Sequence, residues 1–337
     1  MNCVTLGSTN ITVNKNGFGA LPIQRVSEKD AVYLLQKAYD NGITFFDTAR
    51  FYSDSEKKLG MAFSGMRDKI FIATKTGAND AKTFWEHLHT SLGFLKTDYV
   101  DIYQYHNAPA FPSPGEKNGL YDAILEAKAQ GKIRHIGISN HRLNVAMDAA
   151  NSGLYETIQF PISYLASEED LELVRLCKSK NIGVIGMKGM AGGLITNSKA
   201  AYAFSLQFDN LLPIWGVQRE SELDEFISYQ ENPPKLDGAL LAEIEKDKAE
   251  LTGSFCRGCG YCMPCPQNIE IPTAARMAQL IRRAPSAAYL SDEWAERMNR
   301  IESCVHCDHC KNHCPYGLDT PALLQENLVD YRTFSRK

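Results

Sequence analysis

Eight of the ten cysteines in this chain lie between residues 256 and 314, and they restrict its fold more than any other feature. They read Cys256-x-x-Cys259-x-x-Cys262-x-x-Cys265-Pro266 and Cys304-x-x-Cys307-x-x-Cys310-x-x-x-Cys314-Pro315. A disulfide framework belongs to small secreted domains. This chain has 337 residues and opens MNCVTLGSTN, without the basic-then-apolar order of a signal peptide. Zinc also takes C-x2-C pairs. Two quartets, each closed by proline, suit iron–sulfur clusters better. Cys3 and Cys177 have no partners in the sequence and read as small hydrophobes.

The second group resembles the bacterial ferredoxin run C-x2-C-x2-C-x3-C-P residue for residue. In that run three thiolates hold one cluster and the fourth reaches the other. The resemblance assigns one [4Fe–4S] cluster to Cys256, Cys259, Cys262 and Cys314, and a second to Cys304, Cys307, Cys310 and Cys265. The first group departs from the run by one residue before its last cysteine. His306, His309 and His313 lie between the ligands of the second group and read either as replacement ligands or as exposed loop residues. No C-x3-C-x2-C spacing occurs, so there is no radical-SAM signature.

Upstream of the cysteines, strand-like and helix-like segments alternate. Strand candidates are Gly17–Ile23, Ile43–Ala49, Ile70–Lys75, Tyr99–His106, Ile133–Asn140, Thr157–Phe160, Ile182–Lys188 and Leu211–Val217. Most are short apolar runs, as parallel strands buried on both faces require. Between them lie helical stretches: Ser27-Glu28-Lys29-Asp30 and Ser167-Glu168-Glu169-Asp170 open two with capping-box-like starts, Asn118–Gly131 is a third, and Ser221–Tyr229 follows the last strand. The pair Gly17-Phe18-Gly19 does not extend to G-x-G-x-x-G, so a dinucleotide-binding open sheet lacks its fingerprint. Eight strands favour a closed (β/α)8 TIM barrel, which takes roughly 250 residues. Cys3–Val13 reads as a hairpin that plugs the barrel bottom. Glu231-Asn232-Pro233-Pro234 is a linker and Gly238–Leu251 a charged helix. The division is therefore a barrel over residues 1–232, then, over residues 233–337, a linker helix and a small α-helical ferredoxin-like domain.

Active sites of such barrels sit at the C-terminal ends of the strands. Asp47 ends the second strand, Lys75 the third and His106 the fourth, and Tyr52 follows Asp47 by five residues. A buried Lys75 needs a counter-charge, and Asp47 on the next strand supplies it. An ammonium beside a phenol favours the phenolate, so Tyr52 can donate a proton near neutral pH. His106 can hold the same substrate oxygen. Together they form a carbonyl-protonating site, with the carbon left open to hydride.

These segments, FFDTARFYSDSEKKLG, IFIATKTG, DIYQYHN and IGISNH, resemble the aldo-keto reductases in order and position, over roughly residues 1–230. The resemblance implies Tyr52 as general acid, Lys75 and Asp47 as its tuning pair, and His106 as carbonyl orienter. It also implies that Ser139, Asn140 and Gln159 hold a nicotinamide carboxamide. The whole chain resembles the branch with a fused ferredoxin-type domain. Where many members place an aromatic after the seventh strand, this chain has Met187-Lys188-Gly189; Gly189, Gly192 and Gly193 either let the backbone approach a pyrophosphate or form a plain flexible loop. The Lys-Ser that usually reads the adenosine 2′-phosphate is absent. Gln218 and Arg219 stand there, followed by a helix N-terminus that can bind phosphate, with Glu222 and Glu225 opposing it. NADPH, NADH or neither stays open. Arg50 reads either as a clamp for a substrate carboxylate or as half of a salt bridge.

Nicotinamides deliver hydride, whereas clusters pass single electrons. That mismatch admits a flavin as a further cofactor, or a ferredoxin or flavoprotein as electron partner. The expectation is a cytoplasmic oxidoreductase that reversibly reduces a small-molecule carbonyl and carries two [4Fe–4S] clusters. The alternatives are a cluster-driven one-electron reductase without nicotinamide, and an electron-carrier or redox-sensing subunit whose barrel is a docking module. Lys and Arg total 36 against 40 Asp and Glu, which leaves no basic field for nucleic acid. The apolar run Ile182–Ile195 is broken by Lys188 and too short for a membrane span.

Overall fold

The computed structural model describes residues 2–251, 255–283 and 286–335. The chain divides into two compact units, Met1–Gly189 with Lys199–Asp237, and Met190–Ser198 with Gly238–Lys337. The first unit opens with an antiparallel pair, β1 (Cys3–Thr5) and β2 (Thr12–Asn14). Then come β3 (Gly17–Gly19), β4 (Phe45–Asp47), β5 (Phe71–Thr76), β6 (Val100–His106), β7 (Ile133–Ser139), β8 (Thr157–Pro161), β9 (Gly183–Met187) and β10 (Leu211–Gly216). Strands β3 to β10 are parallel and close into a barrel in the order β10-β3-β4-β5-β6-β7-β8-β9. Each lies within a strand-like run of the sequence or extends it by one residue.

Helices α1 (Glu28–Asp40), α2 (Ser55–Ala62), α3 (Ala81–Leu95), α4 (Leu120–Ala129), α5 (Leu143–Ser152), α6 (Glu168–Ser179), α7 (Ser198–Ser205) and α8 (Glu220–Glu231) follow the barrel strands in turn. Local chemistry sets their starts. The Ser27 hydroxyl accepts from the Asp30 N–H at 3.1 Å, and Ser167 and Asp170 form a full capping box on α6. The buried face of α1 is Ala31, Leu34, Leu35 and Ala38, the helical spacing that faces a core.

The β1–β2 hairpin plugs the barrel. Val4, Leu6, Ile11 and Val13 form one apolar cluster with Phe45, Ala73, Ile102, Ile185, Leu212 and Ile214, side chains from the barrel strands. A bridge between Gly7 and Ile182 ties it to the start of β9. Leu6 is fully buried, which contributes about 1.5–3 kcal/mol. The opposite rim is left to polar residues.

The second unit contains α9 (Gly238–Glu250), α10 (Ile271–Ala274), α11 (Met277–Arg283), α12 (Asp292–Asn299), α13 (His309–Asn312) and α14 (Thr320–Phe334). Its core gathers Ile269, Ile271, Met277, Ile281, Met298, Ile301, Leu324 and Leu328 around Cys262 and Cys310. Among the described residues, no helix is long and apolar enough to cross a membrane.

Candidate functional site

The parallel register brings the strand-end residues together. Lys75 pairs with Gln104, His106 with Ser139, and Ser139 with Gln159. The Lys75 ammonium donates to both Asp47 carboxylate oxygens, at 2.8 and 2.7 Å, and to the Thr48 carbonyl at 2.6 Å. Both side chains are buried. Burial pushes the Asp47 carboxyl up and the Lys75 ammonium down, and their mutual attraction opposes both shifts.

Tyr52 sits half-buried in the turn after β4, where its N–H donates to the Ala49 carbonyl at 3.0 Å. The Lys75 ammonium lies 5.2 Å from the centre of the Tyr52 ring. The His106 ring meets the Tyr52 ring edge-on, with centroids 5.8 Å apart. Burial, reinforced by the Lys75 charge, pushes His106 down to about 3. It is therefore a neutral imidazole at physiological pH, able to hydrogen-bond but not to act as a cationic acid. The four residues read from the sequence thus surround one locus.

Three neighbours of that locus were not singled out in the sequence. Gln104, buried on β6, donates to the Gln159 side-chain oxygen at 2.8 Å, and the Gln159 amide donates to Asp47 at 3.3 Å. A lone amide inside the apolar run DIYQYH was the available signal, because a buried polar group needs a partner. Phe51 is 61% exposed and stacks on His106, with centroids 6.2 Å apart. Arg50 pairs with Glu56, which is buried and also accepts from the Thr74 hydroxyl at 2.7 Å. The salt-bridge reading of Arg50 is the one the structure adopts.

The residues expected around a nucleotide are placed as follows. Ser139 and Asn140 are buried, and Asn140 donates to the Ala108 carbonyl at 2.8 Å and accepts from the Arg142 N–H at 2.9 Å. Met187 ends β9, and the Trp215 ring lies against Gly189, 2.6 Å from where a Cβ would stand. The Arg219 guanidinium donates to Glu222 at 2.5 and 2.9 Å, and the Gln218 and Arg219 N–H groups donate to the same carboxylate at 3.0 and 3.1 Å.

Gly192 and Gly193 belong to the second unit. Arg276 donates to the Gly192 carbonyl at 2.5 Å, and a Cβ on Gly192 would stand 2.8 Å from the Arg276 Nη1 and 3.3 Å from the Arg257 carbonyl. The same guanidinium covers Gly258, between Cys256 and Cys259, where a Cβ would lie 2.9 Å from its central carbon. Both glycines have positive φ, so these two close approaches exclude a side chain on conformation as well as space. Arg283 adds a second tie to the Leu194 carbonyl at 2.9 Å.

The cysteines line two cavities of the second unit. One is lined by Cys256, Cys259, Cys262 and Cys314. The other is lined by Cys265, Cys304, Cys307 and Cys310, and Cys262 lines both. The last cysteine of each group thus faces the cavity of the other group. Burial, with the neighbouring Cys256, Cys259 and Cys310 thiols, pushes the Cys262 thiol up to about 12. A thiol so placed ionises only when a metal replaces its proton, and this donor set fits iron–sulfur clusters. His309, read as a replacement ligand or an exposed loop residue, is half-buried and lines the second cavity.

The Aldo/keto reductase family matches residues 15–205, and a 4Fe-4S dicluster domain matches residues 255–319. The chain is 30% identical to Uncharacterized oxidoreductase YqkF of Bacillus subtilis over 322 residues, covering 91% of this chain and 98% of that one. It is 32% identical to L-galactose dehydrogenase of Arabidopsis thaliana over 210 residues, 57% of this chain and 66% of that enzyme. Among solved structures it resembles the holo form of aldo-keto reductase AKR11C1 from Bacillus halodurans, with TM-score 0.64 and 22% identity over 73% of this chain and 96% of that one. An aldo-keto reductase from Klebsiella pneumoniae in complex with NADPH aligns with TM-score 0.62 and 20% identity, over 73% and 94%. The chain is an oxidoreductase of the aldo/keto reductase family, a TIM barrel followed by a 4Fe-4S dicluster domain.

Proposed function

We propose that the barrel reversibly reduces a small-molecule carbonyl, with Tyr52 as general acid. The observation that carries this reading is the buried Lys75–Asp47 pair, set 5.2 Å below the Tyr52 ring with a neutral His106 beside it. The ammonium stabilises negative charge on the phenol oxygen as its proton leaves. His106 donates a hydrogen bond to the carbonyl oxygen and fixes its approach. Asp47 holds the ammonium in place and keeps it charged. Phe51 presents an apolar face at the rim and excludes water from one side.

A reduced nicotinamide, when bound, supplies the hydride. NADPH in the Klebsiella relative supports that choice, as does the placement of Ser139 and Gln159 on adjacent strands beside the tetrad. Two [4Fe–4S] clusters, held by Cys256, Cys259, Cys262 and Cys314 and by Cys304, Cys307, Cys310 and Cys265, supply single-electron transfer. Cys307 is exposed, which favours a ferredoxin or flavoprotein as the partner that exchanges electrons there. The relatives named L-galactose dehydrogenase and Methylglyoxal reductase YeaE point to small oxygenated substrates.

A cluster-driven reductase without nicotinamide is the second reading. It is favoured by the side chains of Asn140, Gln159 and Arg219, which already bond within the protein. One experiment separates the two. The chain is purified without oxygen, its iron and sulfide are measured, and NADPH or NADH is added while cluster absorbance and paramagnetic resonance are followed. Nucleotide binding with carbonyl-dependent oxidation supports the first reading. No response to nucleotide, with carbonyl reduction driven by dithionite, supports the second.

A further inference from the structure

His309 carries a buried ring nitrogen that no described residue satisfies. Its Nε2 is shielded from solvent and has no hydrogen-bond partner. A polar atom left so in a native protein marks a missing partner, because desolvation without a hydrogen bond costs free energy. The ring lines the cavity of Cys265, Cys304, Cys307 and Cys310, and also the opening formed by Pro264, Cys265, Pro266 and Cys307. Cys265, Cys304, Cys307 and Cys310 are the four ligands assigned to that cavity, so the set is complete without the imidazole.

The ring is also held in place. His313 stacks on it, with centroids 4.0 Å apart and planes at 28°. The Nδ1–H of His313 donates to the His309 carbonyl at 2.8 Å. His309 opens α13 directly before Cys310, whose side chain is buried. The imidazole therefore cannot swing to solvent without giving up its stacking partner.

We propose that the Nε2–H of His309 donates a hydrogen bond to a sulfur of the second cluster and raises its reduction potential. This rests on the cluster assignment above. Sulfur on an iron–sulfur cluster accepts hydrogen bonds, and such bonds stabilise the more negative, reduced form. Among the described residues the first cavity has no histidine on its wall, so this hydrogen bond acts on the second cluster alone.

The full-length protein, purified without oxygen, tests this through His309→Leu and His309→Gln. Iron and sulfide are counted, and both midpoint potentials are read by dithionite titration followed with paramagnetic resonance. The expected result is eight irons in every variant, one potential lowered in His309→Leu, that potential recovered in part or whole by the amide of His309→Gln, and the other potential unmoved. Should His309→Leu lose a cluster, retention of both clusters in His309→Gln at the wild-type potentials still supports a donor. Loss of a cluster in both variants makes His309 a ligand and overturns the proposal. Unchanged potentials in His309→Leu overturn it as well. Wild-type protein with fewer than eight irons fails the cluster assignment itself, and the hydrogen bond with it.

Discussion

The Gln159 side-chain amide donates to the Asp47 carboxylate at 3.3 Å, so a residue expected to hold nicotinamide also touches the Lys75 counter-ion. Gln104 completes the chain by donating to the Gln159 oxygen at 2.8 Å. Two buried amides thus fix the direction of Asp47, and Asp47 fixes Lys75. Replacement of Gln104 by Leu leaves the Gln159 oxygen without this donor. It should lower stability by about 1–3 kcal/mol in urea denaturation. The double variant Gln104→Leu, Gln159→Leu should lose less than the sum of the two single variants, because the second change removes the orphaned group.

His106 gives a signed pH dependence. Its unfolded pKa is near 6.5, and burial followed by the Lys75 charge brings it to about 3 in the folded protein. Between those values the unfolded chain binds a proton that the folded one refuses. Stability should therefore fall as pH drops from 6.5 toward 3, by about 2 kcal/mol between pH 7 and pH 5. His106→Gln should flatten that slope, measured by denaturant midpoints at the two pH values. Nitrogen-15 resonances should show a neutral ring at pH 5 in the wild type.

Glu222 sits where a nucleotide phosphate is expected, beside Gln218 and Arg219. Its carboxylate holds Arg219 by two hydrogen bonds and caps the N-terminus of α8. Glu222→Gln keeps a capping side chain and removes the charge. The freed guanidinium should then favour the 2′-phosphate, and the NADPH-to-NADH affinity ratio should rise about tenfold. Titration of both nucleotides by fluorescence checks this.

Arg276 joins the ligand loop at Gly258 to the segment at Gly192, within the second unit. Arg276→Ala should loosen residues 190–198. Hydrogen exchange there should quicken by about 10–100-fold, the effect of losing a charged hydrogen bond. Exchange in β4 to β6 should stay as it is.

Much of this was legible in the sequence because it is local. Short apolar runs ended by Asp47, Lys75 and His106 identify strands buried on both faces with polar groups at one rim. The cysteine spacing likewise carries its own chemistry. What escaped was contact across the barrel. Gln104 and Gln159 are 55 residues apart, Asp47 and Gln159 are 112 apart, and no local pattern marks such a meeting. Glycines at 189, 192 and 193 were ambiguous for a different reason. A run that admits a phosphate and one that admits an arginine have the same composition, and only the structure places Arg276 against Gly192. His309 reads as a replacement ligand or a loop residue until it is seen on a cavity wall.

The proton-donating role of Tyr52 is tested most directly by Tyr52→Phe in anaerobic full-length protein, with NADPH and 4-nitrobenzaldehyde as probes. Nucleotide affinity and iron and sulfide content are measured on the same samples. The expected result is a fall in kcat of about 10²–10⁴-fold, the contribution of a positioned acid, with affinity and cluster content unchanged. Turnover in Tyr52→Phe within twofold of the wild type would contradict a proton delivered by Tyr52.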